Sequence, residues 1–408
     1  MSTESKPGFE TLAKETTLYP QEKLLEIKKG KNRLSIGIPK EIVLQENRIG
    51  LTPEGVGLLV YNGHEVWIET GAGLSSKFTD REYSEAGAKI VKAAKEVLQA
   101  EIIFKIEPPS LEEINYMKQG QKLVSALQMA NLNPEYLNAV NKKKVIAVAF
   151  ELIKDKEGGL PVVSAMGEVV GSTLMLIAAE YLSTVHKGKG IILGGITGVP
   201  PTKVIILGAG TVGEYAARAA IGLGAEVKVF DNNIYKLKRL KHNVGLQLYT
   251  STIEPVALSQ SLKRADLAIG AMRAEEGRSP CVVSDEMVSN MQPGSVIIDV
   301  SIDQGGCFET SELTSHSKPV FRKYDVIHYC VPNIASRVAR TASKALSHIF
   351  APILLQIADT GGFEEMIFER KWFMDGVYAY KGSLTNAYVA KKFGMRYKEL
   401  SLLMSARF

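Results

Sequence analysis

Three glycines and one acid carry the clearest chemistry in this chain: Gly208-x-Gly210-x-x-Gly213 follows the apolar run Val204 to Leu207, and Asp231 ends a second apolar run, Val227 to Phe230. Gly208 suits a tight turn, Gly210 lets backbone approach a pyrophosphate, and Gly213 lets a helix lie close to a sheet. Thr211 and Val212 open that helix, whose N-terminus is suited to phosphate. Asp231 stands where a carboxylate accepts hydrogen bonds from ribose hydroxyls and repels a 2′-phosphate, so the expected cofactor is NAD rather than NADP. Lys236 and Lys238 lie nearby and read as solvated helix residues, one of them able to reach the ribose from the side.

Hydride transfer also needs a substrate held against the nicotinamide, which is a matter of orientation and charge placement. Arg48, in the loop EIVLQENRIGLTPEG, offers a guanidinium for a carboxylate, or is a surface arginine. Lys105 sits in the apolar run IIFKIEPP, where an ammonium needs either solvent or a partner, and a substrate oxygen is one such partner. In VIIDVSIDQGG, Asp299 reads as a structural acid and Asp303 as the acid beside the cofactor. The run VIHYCVPNIASR ends in Val331-Pro332-Asn333, with Asn333 either capping a helix or bonding the nicotinamide carboxamide.

The elements that must place these groups alternate. From Leu34, the apolar segments SIGIPK, EVWIET, AEIIFKIE, KLVSAL and KVIAVAFE are separated by amphipathic helical stretches, which predicts an α/β fold with a parallel sheet before the nucleotide unit begins. Met166 to about Val185 and Ala335 to about Ile357 read as long helices bridging two domains. The expected division is an N-terminal extension at 1–33, a substrate domain at 34–165 plus 336–408, and an NAD-binding Rossmann domain at 166–335, with the chemistry in the cleft between them. The extension, with a short helix around Gln21 to Lys29, is expected to pack on a surface or a subunit neighbour.

Bulk properties narrow the class. A 408-residue chain that is 45% hydrophobic and 23% charged is ordinary globular composition. A formal charge of +5 with interspersed acids leaves no nucleic-acid footprint. The three cysteines, Cys281, Cys307 and Cys330, have unrelated spacings; they argue against a disulfide framework or a metal site and read as buried small residues. The N-terminus lacks a signal-peptide pattern and no apolar run reads as a membrane span, so a cytoplasmic location is expected.

The motifs IGIPKE, ENRIGLTP, GHEVWIETGAG, ILGAGTVGEYAARAAIGLGAEVKVFD, GSVIIDVSIDQGG and HYCVPNIASRVARTAS together resemble the alanine dehydrogenase family, which also includes the NAD-binding component of proton-translocating transhydrogenase. The resemblance runs from about Ile36 to the C-terminus. It implies two Rossmann-like domains, NAD-dependent interconversion of L-alanine with pyruvate and ammonium, and a homo-hexamer. By the resemblance, Arg48 and Lys105 match residues that bind the pyruvate carboxylate and carbonyl. Asp303 matches the active-site aspartate, Asp231 the ribose-binding acid and Asn333 a nicotinamide contact, while Lys236 falls where a basic side chain approaches the adenine ribose. The chain departs from the pattern at Leu127-Gln128-Met129-Ala130, where the family carries Leu-His-Leu-Ala with the histidine as acid/base. A glutamine cannot exchange a proton at neutral pH, which leaves Lys105 and Asp303 as expected proton carriers. A tyrosine usual two places earlier is Ala126, and a serine usual near the cofactor is Gly167. A dehydrogenase of another small amino acid or 2-oxo acid, or a catalytically weak NAD-binding transhydrogenase-like component, is the alternative.

Overall fold

The computed structural model describes residues 32–129, 132–155, 157–245, 248–273 and 278–405. The expectations for the N-terminal extension before residue 32, its short helix included, lie outside the described residues.

Short apolar runs become strands in chain order: β1 (Ser35–Ile38), β2 (Glu65–Glu69), β3 (Lys89–Val91), β4 (Ile102–Phe104), β5 (Lys122–Ser125) and β6 (Ile146–Ala149). The chain then runs through the helix Pro161–Leu182 into a second set: β7 (Lys203–Leu207), β8 (Glu226–Phe230), β9 (Tyr249–Ser251), β10 (Leu267–Gly270), β11 (Val296–Asp299), β12 (Val320–Lys323) and β13 (Val326–Tyr329). It returns through the helix Ala339–Asp359 to β14 (Val377–Tyr380) and β15 (Ser383–Leu384). The first sheet has the order β15-β14-β6-β5-β4-β1-β2-β3, the second β12-β13-β11-β10-β7-β8-β9. Strands β4, β6, β10 and β11 are buried throughout, as expected for parallel strands covered by helices on both faces.

Both sheets contain the doubly wound order in which the first strand lies beside the fourth, so each has a switch point outside the carboxyl ends of its central strands. In the first sheet these ends launch the loops that carry Arg48 and Lys105; in the second they launch the glycine loop and residues 271–273. The expected parallel sheets acquire antiparallel edges. β14 pairs antiparallel with β6 and β15 with β14, and β12 does the same with β13.

Two long helices connect the halves. Pro161–Leu182 lies along Thr211–Gly222, and the contact depends on glycine: a Cβ at Gly171 would lie 2.5 Å from the Val212 carbonyl oxygen. By length and composition Pro161–Leu182 could cross a membrane, contrary to the reading of the sequence; here eleven of its residues are buried within the fold. The second helix presents Ser343 and Ser347, preceded by Ser336 in a 3-10 turn, to the loop of Arg48. Their hydroxyls accept from the Ile49, Thr52 and Asn47 amides at 2.9, 3.1 and 2.7 Å respectively. Each such bond is worth about 1 kcal/mol net, and together they fix a loop that has no strand to hold it. Cys307 and Cys330 are buried, as expected; Cys281 is exposed, contrary to that reading.

Candidate functional site

On the nucleotide side, the glycine loop has the form that a pyrophosphate requires. Gly208 sits at φ +109°, and a Cβ on Gly213 would lie 2.0 Å from the Gly208 carbonyl oxygen, so the helix could not approach the loop with any other residue there. A Cβ at Gly210 would meet nothing within 4 Å. Open space therefore lies in front of a helix whose first turn, beginning at Thr211 and Val212, has backbone amides to spare. Asp231 is buried, accepting from the Ala209 amide at 2.7 Å and the Asn233 amide at 2.7 Å. Its carboxylate thus ties the glycine loop to the end of β8 and keeps acceptor capacity for a ribose. Lys236 is exposed on the following helix, and Arg239 from that helix reaches the Ala209 carbonyl at 3.4 Å. These residues fit a dinucleotide.

Asp299 is fully buried at the end of β11, accepting from the Ser301 and Cys307 amides and from Ser311 Oγ at 3.1, 2.8 and 2.7 Å. It holds the loop on which Asp303 stands, in the 3-10 turn Ile302–Gln304. Asp303 is exposed, yet crowding by surrounding protein raises its pKa against the pull of Arg273. Val331 is buried. Asn333 starts the 3-10 turn Ile334–Val338 without capping it through its side chain; its Nδ2 instead donates to the Gln45 carbonyl at 3.1 Å, joining the nucleotide half to the Arg48 loop.

The substrate side is built from ion pairs. Lys105 finds its partners inside the protein: its Nζ is 2.7 Å from Glu113 Oε1 and 3.6 Å from Glu41 Oε2, and its side chain is fully buried. The partner that the apolar run demanded for this ammonium is thus supplied by the protein's own carboxylates. Arg48 is gripped bidentately by Glu46, with Nε donating at 2.8 Å and Nη2 at 2.6 Å. Burial alone would raise the Glu46 carboxyl, but the charge and hydrogen bonds of Arg48 hold it below the ordinary carboxylate value.

Behind Arg48 stands Glu107, buried, its Oε1 3.9 Å from Arg48 Nη2. Gln128 Nε2 donates to Glu107 Oε2. Burial pushes the Glu107 carboxyl up to about 8, helped by the charge of Glu46. Glu41, which accepts from the Ile106 amide at 2.6 Å, is pushed up to about 7 by burial.

Gln128 itself sits at φ +48°, a left-handed backbone that costs a non-glycine residue about 1–3 kcal/mol and persists only where surroundings enforce it. Glu151 enforces it. One of its oxygens accepts from the Leu127 amide at 2.8 Å and the Gln128 amide at 3.2 Å, while the other is buried with no hydrogen-bond partner among the described residues. Arg273, exposed at the end of β10, acts electrostatically on both Glu151 and Asp303 and so links the two halves.

The structure thus brings Arg48 and Gln128 together through Glu107, and pairs Lys105 with Glu113. Gly167, at the position where a serine was expected, faces the opening of the nucleotide helix, its Cβ position 3.3 Å from Thr211 Cβ. His328 is fully buried, donating from Nδ1 to the Val326 carbonyl at 3.1 Å and accepting from Thr310 at 2.8 Å. Burial pushes it down to about 4, so it is uncharged at neutral pH. Glu46, Glu107, Glu151 and Arg273 were not singled out in the sequence. The one available signal was the position of Glu107 and Glu151 at the carboxyl ends of the apolar segments AEIIFKIE and KVIAVAFE.

Two adjoining domain descriptions match the chain: "Alanine dehydrogenase/PNT, N-terminal domain" over residues 37–170 and "Alanine dehydrogenase/PNT, C-terminal domain" over 175–387. The chain belongs to the alanine dehydrogenase/PNT family. It is 41% identical to an alanine dehydrogenase of Methanococcus maripaludis over 364 residues, covering 89% of this chain and 97% of that protein. It is 39% identical to alanine dehydrogenase 2 of Staphylococcus aureus over 368 residues, 90% of this chain and 98% of that one. Among solved structures, an L-alanine dehydrogenase superposes with a TM-score of 0.83 at 35% identity, covering 88% of this chain and 98% of that chain. A transhydrogenase from Sinorhizobium meliloti, at 24% identity and a TM-score of 0.74 over 86% of this chain and 99% of that chain, shares the fold.

Proposed function

We propose that this chain is an NAD-dependent dehydrogenase that interconverts L-alanine and water with pyruvate and ammonium. The observation that carries the reading is full-length kinship to alanine dehydrogenases in a chain whose glycine loop and Asp231 fit a dinucleotide. NAD supplies the hydride acceptor when bound, held by the Gly208–Gly213 loop, the amides of Thr211 and Val212, and Asp231, with Lys236 beside the ribose and Asp303, Val331 and Asn333 toward the nicotinamide.

The remaining work falls to the chain's own side chains. Arg48 takes the substrate carboxylate by sharing its guanidinium with Glu46, and Arg273 adds positive charge at the cleft. Asp303 orients the water that replaces nitrogen at the α-carbon. Gln128, held in one orientation by Glu151, offers its amide to the substrate oxygen or nitrogen. Lys105 has a structural task, neutralising Glu113 beneath the site. We further propose that the protein is a cytoplasmic homo-oligomer, hexameric as the family resemblance implies.

A different small amino acid is the second reading. It is favoured by one observation: residue 126 is a half-buried alanine where the family usually carries a tyrosine, which leaves room for a larger side chain. The test is NADH oxidation at 340 nm with ammonium and a panel of 2-oxo acids. Pyruvate should be reduced fastest, with NADPH a poor substitute. Tight NADH binding without turnover of any 2-oxo acid would overturn the assignment.

A further inference from the structure

The buried end of the first sheet holds more carboxyls than its cations can balance. Lys105 is paired with Glu113 at 2.7 Å and Arg48 with Glu46 at 2.6 Å. Glu41 and Glu107 are the second carboxyl beside each cation, at 3.6 and 3.9 Å, and both are largely excluded from water. An additional buried negative charge without its own partner is costly, so each of these two groups holds a proton more readily than an ordinary glutamate. They differ in where they stand. Glu41 is bonded to the Ile106 and Glu107 amides, whereas Glu107 meets the half-buried Gln128 and Arg48, and Arg48 in turn reaches the Met166 sulfur at 3.8 Å on the helix that leads into the nucleotide half.

We propose that Glu107 is the proton carrier of this active site, taking from the substrate's ammonium group the proton that must leave before the α-hydrogen can depart as hydride. The proposal rests on the amino-acid dehydrogenase reading above. In the step, an ammonium N–H bond breaks and a Glu107 O–H bond forms. The nitrogen lone pair so released assists transfer of the α-hydrogen, with its electron pair, to the nicotinamide, and the substrate becomes an iminium. In reductive amination Glu107 returns the proton to nitrogen.

The groups that face Glu107 are suited to this. From its own strand, Lys105 is committed to Glu113 and Glu41. From the loop after β1, Glu46 accepts from it and raises its proton affinity while Arg48 limits that rise. From the loop after β5, the Gln128 amide donates to it and does not titrate. Glu151 holds the Gln128 amide, and Arg273 acts electrostatically on both Glu151 and Asp303. The resulting value, about 8, suits a base working near neutral pH. It also accounts for how a glutamine can occupy Gln128: the proton function resides in its neighbour.

The experiment compares wild type with Glu107→Gln and Glu107→Asp, each first shown by NADH titration to bind cofactor normally. Wild-type kcat/KM for L-alanine should rise through an ionisation near pH 8. Glu107→Gln should lose about 10²–10⁴-fold and show no such limb, and Glu107→Asp should recover part of the rate. Infrared spectra of the ligand-free protein supply a readout independent of turnover: a carboxylic-acid carbonyl band present at pH 6, absent in Glu107→Gln, and titrating away near pH 8. Glu107→Gln with turnover within about threefold of wild type and the limb intact would overturn the proposal, as would absence of the band at pH 6. If wild type oxidises no amino acid at all, the proposed function fails, and the infrared titration still decides whether Glu107 holds the proton.

Discussion

Lys105→Met separates a lysine that builds the site from one that touches substrate. The ammonium is fully buried 2.7 Å from Glu113, whose side chain is 6% exposed, so removing the cation strands a carboxylate in the interior. Breaking a buried pair from one side typically costs about 3–5 kcal/mol, against about 1 kcal/mol or less for an exposed pair. Replacing both partners by neutral groups should cost far less. Glu113→Gln is a suitable second change, because Glu113 Oε2 accepts from the Ser110 amide at 2.7 Å in a capping box, and glutamine preserves that acceptor. The double variant Lys105→Met/Glu113→Gln should therefore regain at least about 2 kcal/mol relative to Lys105→Met, a coupling readable in a double-mutant cycle. Urea unfolding followed by tryptophan emission suits the measurement, since both tryptophans, Trp67 and Trp372, pack in the first sheet's half of the molecule. The double variant should also keep its KM for pyruvate within about threefold. Restored stability with KM raised a hundredfold would place Lys105 on the substrate and refute the structural role.

Three further outcomes are expected. Wild type should strongly prefer NADH, and Asp231→Ala should narrow the gap to NADPH while weakening NADH binding, since the same carboxylate also holds the Ala209 amide; equal kinetics with both cofactors in the wild type would contradict the assignment. Gln128→His should add an ionisation near 6.5 to the pH–rate profile; an unchanged profile would place residue 128 away from the reacting atoms. Glu41 binds its proton more tightly folded than unfolded, so its contribution to stability is full below about pH 4.5 and lost as pH rises through about 7. Unfolding free energy should therefore fall by up to about 1.4 kcal/mol per pH unit across that window, and Glu41→Gln should flatten the fall measured by urea titration at pH 5, 6, 7 and 8.

What could be read from the sequence was what is encoded locally. The glycine loop needs its residues at fixed spacing because turn, phosphate approach and helix packing all occur within one turn of backbone, and a strand such as Val296 to Asp299 declares itself by four consecutive residues. The antiparallel edge strands were missed because Val377–Tyr380 is short and pairs with β6 across more than two hundred residues. For Lys105 the sequence correctly demanded a partner, but the partner, Glu113, belongs to a helix eight residues on whose capping-box pattern gives no hint that its N3 glutamate also faces inward. The cluster of Glu46, Glu107 and Gln128 arises only when loops from β1, β4 and β5 meet at one switch point. No spacing in the chain announces that meeting, and neither does the left-handed backbone at Gln128 that Glu151 imposes.

Isotope transfer tests the central claim most directly. The protein would be incubated with NAD and L-alanine carrying deuterium at the α-carbon, and the product nicotinamide examined by mass spectrometry. Direct hydride transfer predicts that each NADH formed gains one deuterium, with pyruvate and ammonium appearing in equal amount. Bound NAD that is never reduced, or NADH that forms without deuterium, would contradict it.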